Sequence, residues 1–295
     1  MSRHYLKYLL FITIISLCCS CNNRKEKLLV SGCGWKQVAI LDKQTGEIEW
    51  SHPLAAHEDC NDVEITREGH ILYAYTSGAR LINRKQQTLW DFKARKGEEL
   101  YTATQLPSGR YLLAICGTPS RILELDPKGQ PVEEITFDTS ITGVHDQFRQ
   151  IVKTPQNTYL IPLMGKGEVV EMNREKEVIG RAKCGGNPFA IQLLPNGNWL
   201  VSCGDAHNFV EIDPESKQII RKVGSDDLPS DISLLFVAEL VRYPNGNTLI
   251  SNWNGHSEDK SQPLLVEVDP ENRVVWRLPL HPEIVNISAV YSFEE

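Results

Sequence analysis

The chain has 295 residues, a formal net charge of −7 and a hydrophobic content of 41%. The excess of acidic over basic side chains argues against a nucleic acid or another polyanion as the main partner. About 275 residues remain after the N-terminal segment, which is enough for one large all-β domain.

The start of the chain has the features of a bacterial export signal. A short basic region precedes an apolar run at residues 9–17, which is too short to span a bilayer as an ordinary helix. Ser20 then precedes Cys21, and a small residue before a cysteine resembles a bacterial lipidation site. We predict a lipid on Cys21. Cys18 and Cys19 are the alternative sites, and a plain secretion signal is the alternative interpretation.

A lipid would anchor the protein to a membrane without making it span that membrane. The chain then divides into a lipoprotein signal peptide at residues 1–20, a polar tether at residues 21–27 and one domain at residues 28–295. We expect an exported monomer on the bacterial cell envelope, on the outer membrane and facing either the periplasm or the surface.

Five cysteines follow the predicted lipidation site: Cys33, Cys60, Cys116, Cys184 and Cys203. An odd number cannot all pair within one chain, although an exported compartment permits disulfides. The spacing contains no CxxC motif, so we interpret these cysteines as small buried apolar residues.

A short phrase occurs twice in the chain, as LPNGNWLVSCG at residues 194–204 and YPNGNTLISNW at residues 243–253. In both copies a tight turn is followed by an apolar run that reaches a small residue. Four looser copies follow the same rule: KLLVSG at 27–32, REGHILYAY at 67–75, PSGRYLLAI at 107–115 and PQNTYLIPL at 155–163.

A second feature recurs with the same period. Each copy is followed by another apolar strand that ends in an acid or amide able to open a turn: Asp42, Asn83, Asp126, Asn173, Asp213 and Asp269. In five of the six copies a further strand follows that turn. A unit of four short antiparallel strands, repeated about every 40 to 50 residues, is typical of a propeller blade.

The sequence therefore predicts an all-β, six-bladed β-propeller with four-stranded blades. The first copy lacks an innermost strand, and the last strand of the chain, NISAVYSF at residues 286–293, has no partner of its own. We expect this C-terminal strand to complete the first blade and close the ring, which removes the open sheet edges. The alternative is a seventh blade built on residues 224–235.

The segment ILDKQTGEIEW at residues 40–50 resembles the tryptophan-docking motif of PQQ-like propellers. The combination of LPNGN with VEIDP resembles blades of arylsulfotransferase-like and NHL-like propellers. The resemblance implies the propeller fold, with Trp50 packed between blades, and we predict no quinone or other organic cofactor. In arylsulfotransferases a histidine inside the propeller takes up the sulfuryl group, and the resemblance implies a similar role for His145.

The blade pattern places several histidines on one face of the propeller, where the b–c loops and the d–a crossings meet. His57 and His145 lie in crossings, and His207 and His256 lie in b–c loops. We take His145 or His57 as the candidate nucleophile or base at the channel mouth. Asp146 and Arg149, which follow His145, are candidates to orient its ring and to bind an anion.

Further residues are candidates for ligand binding on this face. Asp62, Glu64 and Glu239 lie on or near the predicted inner strands, and Trp35 and Trp253 could form an aromatic platform for a sugar ring. Both tryptophans could equally pack beneath the loops. Imidazoles and carboxylates from different blades could also hold a metal ion, although no compact metal motif is present.

Propellers host many chemistries, so the architecture does not decide the function. Our first hypothesis is a binding or interaction module for a small molecule, a glycan or a protein of the envelope. The alternative is an envelope enzyme at the channel mouth, either arylsulfotransferase-like or metal-dependent and lyase-like. The simplest interpretation of the histidines is that irregular loops collect polar residues.

Overall fold

The computed structural model describes residues 25–295 and contains six four-stranded antiparallel sheets, arranged as the blades of a β-propeller. The innermost strand of each blade borders the central channel, and the outermost strand lies at the rim. The predicted architecture of six blades with four strands each is confirmed. The predicted signal peptide and Cys21 lie outside the described residues.

The strands follow the chain from blade to blade. Blade 1 contains β1 (Glu26–Gly32), β2 (Trp35–Asp42) and β3 (Ile48–Pro53), and blade 2 contains β4 (Cys60–Ile65), β5 (Ile71–Tyr75), β6 (Gly78–Ile82) and β7 (Thr88–Lys93). Blade 3 contains β8 (Glu99–Gln105), β9 (Tyr111–Cys116), β10 (Ser120–Leu125) and β11 (Pro131–Phe137). Blade 4 contains β12 (Val152–Lys153), β13 (Tyr159–Leu163), β14 (Glu168–Met172) and β15 (Val178–Lys183). Blade 5 contains β16 (Ile191–Leu193), β17 (Trp199–Ser202), β18 (Asn208–Ile212) and β19 (Ile219–Gly224). Blade 6 contains β20 (Val237–Arg242), β21 (Thr248–Asn252), β22 (Leu265–Val268) and β23 (Val274–Arg277), and β24 (Ala289–Glu294) ends the chain.

Strand β24 closes the ring, as the sequence predicts. It pairs antiparallel with β1 and becomes the innermost strand of blade 1. The pairing continues to the ends of both strands, where Lys25 and Glu295 exchange two backbone hydrogen bonds of 2.8 and 3.1 Å. Closure therefore leaves no unpaired edge on β1.

The irregular parts of the described chain are short. Three single-turn 3-10 helices, Val144–Asp146, Met164–Lys166 and Ser225–Asp227, lie in the connections. Strand β1 begins at Glu26, inside the segment that the sequence analysis assigned to the tether. No helix within residues 25–295 is long and apolar enough to cross a membrane.

The turns between the third and fourth strands of the blades depend on the acid or amide that the sequence pattern singled out. Asp126 is typical, because its Oδ1 atom accepts hydrogen bonds of 2.9 Å from the backbone N–H groups of both Lys128 and Gln130. Gly129 in the same turn has a φ of +79°, which a glycine adopts without strain. These local bonds specify where each blade reverses direction.

In the first of these turns, Asp42 also pairs with a buried lysine. Its Oδ1 atom accepts a 3.0 Å hydrogen bond from the Thr45 N–H, and its Oδ2 atom accepts one of 2.8 Å from the Lys27 ammonium. Lys27 is only 4% exposed. The hydrogen bond from Lys27 lowers the pKa of the Asp42 carboxyl to about 2, so this pair stays ionised.

We expect Asp42→Ala to lower the free energy of unfolding by about 2 kcal/mol, because it removes the turn and leaves a buried lysine with one anionic partner fewer. Urea unfolding of the two proteins measures this difference. Asp126→Ala is the matched control, since it loses the same turn bonds without uncovering a lysine, and its cost is about 1 kcal/mol. Equal losses in both variants would show that the Lys27 pair contributes nothing.

The core lies between neighbouring sheets rather than inside one sheet. Aromatic residues of the outermost strands contact the next blade, as expected from the docking motif. The Trp50 indole N–H donates a 3.1 Å hydrogen bond to the Arg84 carbonyl, and the Trp90 ring meets the Tyr111 ring edge to face at 5.1 Å. Each blade thus holds the next in place, which makes the two ends of the channel rigid platforms for loops.

Candidate functional site

The connections on one face surround the channel mouth and enclose a cavity of about 410 Å³. All six blades contribute to its lining. Cys33 and Ser288 come from blade 1, and Asn61 and Thr76 come from blade 2. The remaining blades supply two chemically different walls, one polar and one aromatic. The size fits a small molecule or one to two sugar rings.

The polar wall is a hydrogen-bonded network around His145. Its Nδ1 atom lies 3.0 Å from Oε2 of Glu99 and 3.0 Å from the hydroxyl of Tyr101. The Tyr101 hydroxyl also donates to the same Glu99 oxygen at 2.5 Å. On the other side of the ring, the Nε2 atom lies 2.9 Å from Nη2 of Arg149.

These contacts determine the tautomer of His145. The Arg149 guanidinium is always protonated and can only donate, so the Nε2 atom of His145 must be the acceptor. The ring proton therefore sits on Nδ1 and points to Glu99 and Tyr101. Both ring nitrogens are engaged within the protein, although 68% of the His145 side chain is exposed. A histidine in this state has no free lone pair with which to attack a substrate.

Arg149 organises this wall rather than presenting a free charge. It is 4% exposed, and it also donates to the backbone carbonyls of His145 at 2.6 Å and Phe148 at 3.0 Å. Its guanidinium lies 3.9 Å above the ring of Tyr101, a cation–π contact. Burial of Tyr101 raises the pKa of its phenol, so Tyr101 remains a hydrogen-bond donor at neutral pH.

The aromatic wall comes from blades 5 and 6. The ring of Phe236 meets those of Phe189 and Trp253 edge to face, each at 5.3 Å between centroids. His256 packs on Trp253 at 4.6 Å and its Nδ1 atom lies 3.0 Å from Oδ1 of Asp205. Gly255 fits only as glycine, because a β-carbon there would lie 1.9 Å from the Trp253 ring.

The charges around the cavity are mostly negative. Four carboxylates line it, from Asp59, Glu99, Asp146 and Asp205, whereas Arg149 is the one arginine or lysine among the lining residues. Lys36 lies nearby but is paired with Asp59. The electrostatic field at the mouth therefore favours neutral or cationic ligands over anions.

Comparison with known proteins identifies the family. The family model described as Mal s 1 allergenic protein-like matches residues 23–273. The chain belongs to this family. A search of curated proteins finds no significant match.

Solved structures agree on the fold of this Mal s 1-like chain. A Bacteroides caccae protein of unknown function is 41% identical over 92% of this chain and all of its own length, with a TM-score of 0.87. A virginiamycin B lyase from Staphylococcus aureus is 10% identical and has a TM-score of 0.60, with 94% of each chain covered. A chain of a nidogen/laminin complex is 9% identical, covers 90% of this chain and 98% of its own, and has a TM-score of 0.65. The last two show a shared fold alone.

The Mal s 1-like propeller brings together part of the residue set expected from its sequence. His145, Asp146, Arg149, Trp253 and His256 all line the cavity. They come from the crossing between blades 3 and 4 and from the long loop after β21. These five residues therefore converge on one channel mouth from loops of different blades, as expected.

Other expected residues lie elsewhere. His57 is exposed in the turn before β4 and is not part of the cavity lining. The ring of His207 lies against its own blade connection, with Nδ1 2.6 Å from the Leu235 carbonyl. Trp35 is 4% exposed and its indole N–H donates to the Glu283 carbonyl at 2.8 Å, so it packs beneath the loops.

Asp62 and Glu239 lie deeper, inside the channel. The side-chain amide of Gln150 donates one hydrogen bond to each of them, 3.2 Å to Asp62 and 3.0 Å to Glu239. Their second oxygens accept backbone N–H groups of adjacent blades, from Ala103 at 2.9 Å and Val290 at 2.6 Å. This bridge, formed by Asp62, Gln150 and Glu239, ties blades across the channel.

The channel bridge has unusual proton affinity. Burial raises the pKa of the Glu239 carboxyl to about 8. Burial, followed by the nearby Glu239 charge, raises the pKa of Asp62 well above its ordinary value. No cation compensates these carboxyls among the contacts of the described residues, so a shared proton is the physical alternative to two buried charges.

Glu64 lies at the opposite end of the channel from the cavity. Its Oε1 atom accepts a 3.1 Å hydrogen bond from the Gln105 N–H, and its Oε2 atom accepts one of 2.5 Å from the Thr104 hydroxyl. Gln192 makes a similar bond to the Arg242 N–H at 2.6 Å. These side chains satisfy the free backbone edge of the next innermost strand, which is a structural role.

Several lining residues were not recognised in the sequence. Glu99 and Tyr101 carry half of the polar wall, and Phe189, Asp205 and Phe236 complete the other side. The first two lie on β8, where a bulge between Leu100 and Thr102 interrupts the alternation of side chains, so a period of two does not place them. The last three lie in irregular connections, where no sequence period applies.

The cavity offers hydrogen bonding and aromatic contact rather than a metal cage. Within residues 25–295 no group of three or more His, Cys, Asp or Glu side chains is arranged to hold a metal ion. His145 and His256 each lie 3.0 Å from a carboxylate oxygen, of Glu99 and Asp205 respectively.

Proposed function

We propose that the protein is a binding module that holds a neutral, polyhydroxylated ligand of the glycan class in the cavity at the channel mouth. The observation that carries this proposal is the pairing of two walls, one aromatic and one rich in hydrogen-bond acceptors. A sugar ring has an apolar C–H face that suits an aromatic surface and hydroxyls that donate to carboxylates. The aromatic cluster of Phe189, Phe236, Trp253 and His256 faces such acceptors.

The charge of the cavity supports a neutral ligand. A sulfate ester would approach Asp59, Glu99, Asp146 and Asp205, and Arg149 already directs three of its five N–H donors to His145 and Phe148. An anion would therefore lose its hydration on entering the cavity without gaining a contact to a free cation. This argument favours glycans over the aryl sulfates that the sequence resemblance suggested.

The geometry of His145 makes the enzyme alternative the weaker of the two proposals. A nucleophile or general base needs an available lone pair on Nε2, and Arg149 occupies that atom. The cellular setting remains a proposal as well. We propose an exported monomer, held on the bacterial envelope through a lipid at Cys21, with the envelope membrane and a glycan as its partners.

Screening the purified protein on a glycan array, followed by calorimetric titration of the best binder, tests the proposed function. We expect His256→Ala and Trp253→Leu each to weaken binding about tenfold or more, because each removes part of the aromatic wall, a change of about 1.4 kcal/mol. His57→Ala is the matched control and leaves binding unchanged. Equal binding in all four proteins would overturn the assignment of the site.

His145→Ala separates the binding module from the enzyme alternative. For a binding module, we expect the variant to fold and to bind the glycan several-fold more weakly, since Glu99 and Arg149 lose their common partner. With an aryl sulfate donor and a phenol acceptor, we expect no turnover by the unmodified protein. Turnover that disappears in His145→Ala, with the circular dichroism spectrum unchanged, would instead establish the enzyme.

A further inference from the structure

Two of the five cysteines described by the structure lie side by side. Cys184 follows β15 in the crossing between blades 4 and 5, and Cys203 follows β17. The Sγ atom of Cys203 lies 3.7 Å from the carbonyl oxygen of Cys184. The two backbones also run together, because the Asn187 N–H donates a 3.1 Å hydrogen bond to the Cys203 carbonyl.

The surroundings of this pair are apolar. Cys184 is 7% exposed and Cys203 is fully buried, and both belong to one cluster with Val201 and Trp199. The neighbouring Cys184 thiol, followed by burial, raises the pKa of the Cys203 thiol. The Cys203 sulfur thus lies against residue Cys184, within the range of positions from which a disulfide can form.

The other three cysteines differ from this pair. The Sγ atom of Cys203 bonds to the carbonyl of another cysteine, whereas those of Cys60 and Cys116 bond to the carbonyls of Asp62 at 3.5 Å and Phe148 at 3.3 Å. They belong to separate apolar clusters. Cys33 is exposed at the cavity. Only Cys184 and Cys203 are therefore neighbours among the five described cysteines, and a bond between them leaves three thiols.

We propose that Cys184 and Cys203 form an intramolecular disulfide when the chain folds in an oxidising compartment. The two thiols lose two protons and two electrons as the S–S bond forms. The oxidant is a small-molecule or protein disulfide, which accepts both electrons and both protons and leaves as two thiols. One cysteine thiolate first attacks this disulfide, forms a mixed disulfide and releases one thiol of the oxidant. The second cysteine thiolate then attacks the sulfur of the first, which breaks the mixed disulfide and releases the other thiol of the oxidant.

Burial sets the time at which the bond forms. Thiol exchange requires a thiolate that the oxidant can reach, and neither condition holds for two thiols inside an apolar cluster. The bond must therefore form during folding or transient opening of the blade 4 to blade 5 crossing. Once formed, it is shielded from soluble reductants by the same burial.

The position of the bond connects it to the cavity. The crossing that starts at Cys184 carries Asn187 and Phe189, and the turn after Cys203 carries Asp205, and all three line the cavity. A covalent bond between the two segments would hold this wall in one arrangement. The inference is independent of the ligand, because it rests on the cysteines alone.

Refolding the denatured, reduced propeller, residues 22–295, in a mixture of oxidised and reduced glutathione tests the proposal. A Cys33→Ser background prevents pairing between molecules through the exposed thiol. Remaining thiols are alkylated in denaturant, and peptide mapping by mass spectrometry locates the linkage. We expect one Cys184–Cys203 cross-linked peptide and alkylation of Cys60 and Cys116. We also expect the Cys184–Cys203 bond to form at least tenfold more slowly in the folded, reduced protein than in the refolding chain.

Two variants make the result specific. Cys60→Ser should retain the cross-link, and Cys184→Ser should leave Cys203 fully alkylated. Without reductant, the cross-linked protein should also unfold at a higher urea concentration than its reduced form. Equal alkylation of Cys184, Cys203, Cys60 and Cys116 in the refolded protein would overturn the proposal, and so would a cross-link between any other two cysteines.

Discussion

A chain that ends at Ser288 will not fold into a closed propeller. This truncation removes β24, whose residues pair with β1 from Glu26↔Glu294 to Ser31↔Ala289. It also exposes Leu28, Leu29 and Val30, which are fully buried in the complete chain. The lost pairing and burial together exceed about 5 kcal/mol, the lower end of the net stability of ordinary domains.

Circular dichroism and size-exclusion chromatography measure the effect of the truncation. We expect loss of the cooperative unfolding transition and self-association through the open edge of β1. Removing only the exposed residues Glu294 and Glu295 is the matched control, and that protein should keep its fold. A cooperative, monomeric chain ending at Ser288 would show that the ring is stable without its closing strand.

The second large effect concerns pH and the channel bridge. We expect the free energy of unfolding to fall by about 2 kcal/mol between pH 6 and pH 8, and we expect Glu239→Gln to remove most of this fall. The folded-state pKa of Glu239, about 8, lies above the value of about 4.3 for an unfolded chain. The folded protein therefore holds a proton that the unfolded chain has released in this interval.

The sign follows from that proton. A carboxyl with a raised pKa contributes fully below the unfolded pKa, and its contribution is lost as the pH rises through the folded pKa. Asp62 shifts in the same direction, and the two carboxyls titrate as one pair that holds this shared proton. Carboxyls with lowered pKa values, such as Asp42 and Glu98, stabilise the fold until they are protonated at acid pH. They therefore do not change the free energy of unfolding between pH 6 and pH 8.

Urea unfolding at several pH values, for the parent protein and for Glu239→Gln, measures the slope. The glutamine can still accept the Val290 N–H, and a rotation of the Gln150 amide lets Gln150 accept from it. Glu175→Gln places the same substitution in an exposed turn and should leave the slope unchanged. An identical slope in the parent and in Glu239→Gln would refute the titration of Glu239.

The fold could be predicted from the sequence because each blade repeats local chemistry. Turn residues such as Asp126 and the apolar runs around them encode strands within a few residues of each other, and the repeat then fixes the number of blades. The repeat pattern is weakest in blade 4. Its innermost strand β12 spans only Val152–Lys153, and its outermost strand β15 lacks an aromatic residue, as does β19 of blade 5.

The site could be predicted only in part, because its geometry depends on connections rather than on strands. Trp35 and Trp253 illustrate the difference. A two-residue turn, Cys33 and Gly34, separates β1 from β2, so Trp35 becomes the first residue of a buried strand. The connection after β21 runs from residue 253 to residue 264, and this length lets Trp253 reach the cavity. Loop length decides the outcome, and a repeat pattern does not encode it.

The backbone bonds between Lys25 and Glu295 also determine how the molecule would stand on a surface. The cavity contacts the opposite ends of the same strands, since Cys33 follows β1 and Ser288 precedes β24. Anything joined to Lys25 is therefore attached to the face that lies away from the cavity. A lipid at Cys21, as the sequence predicts, would orient the propeller with the cavity mouth turned away from the membrane, where it can meet ligands before they reach the membrane.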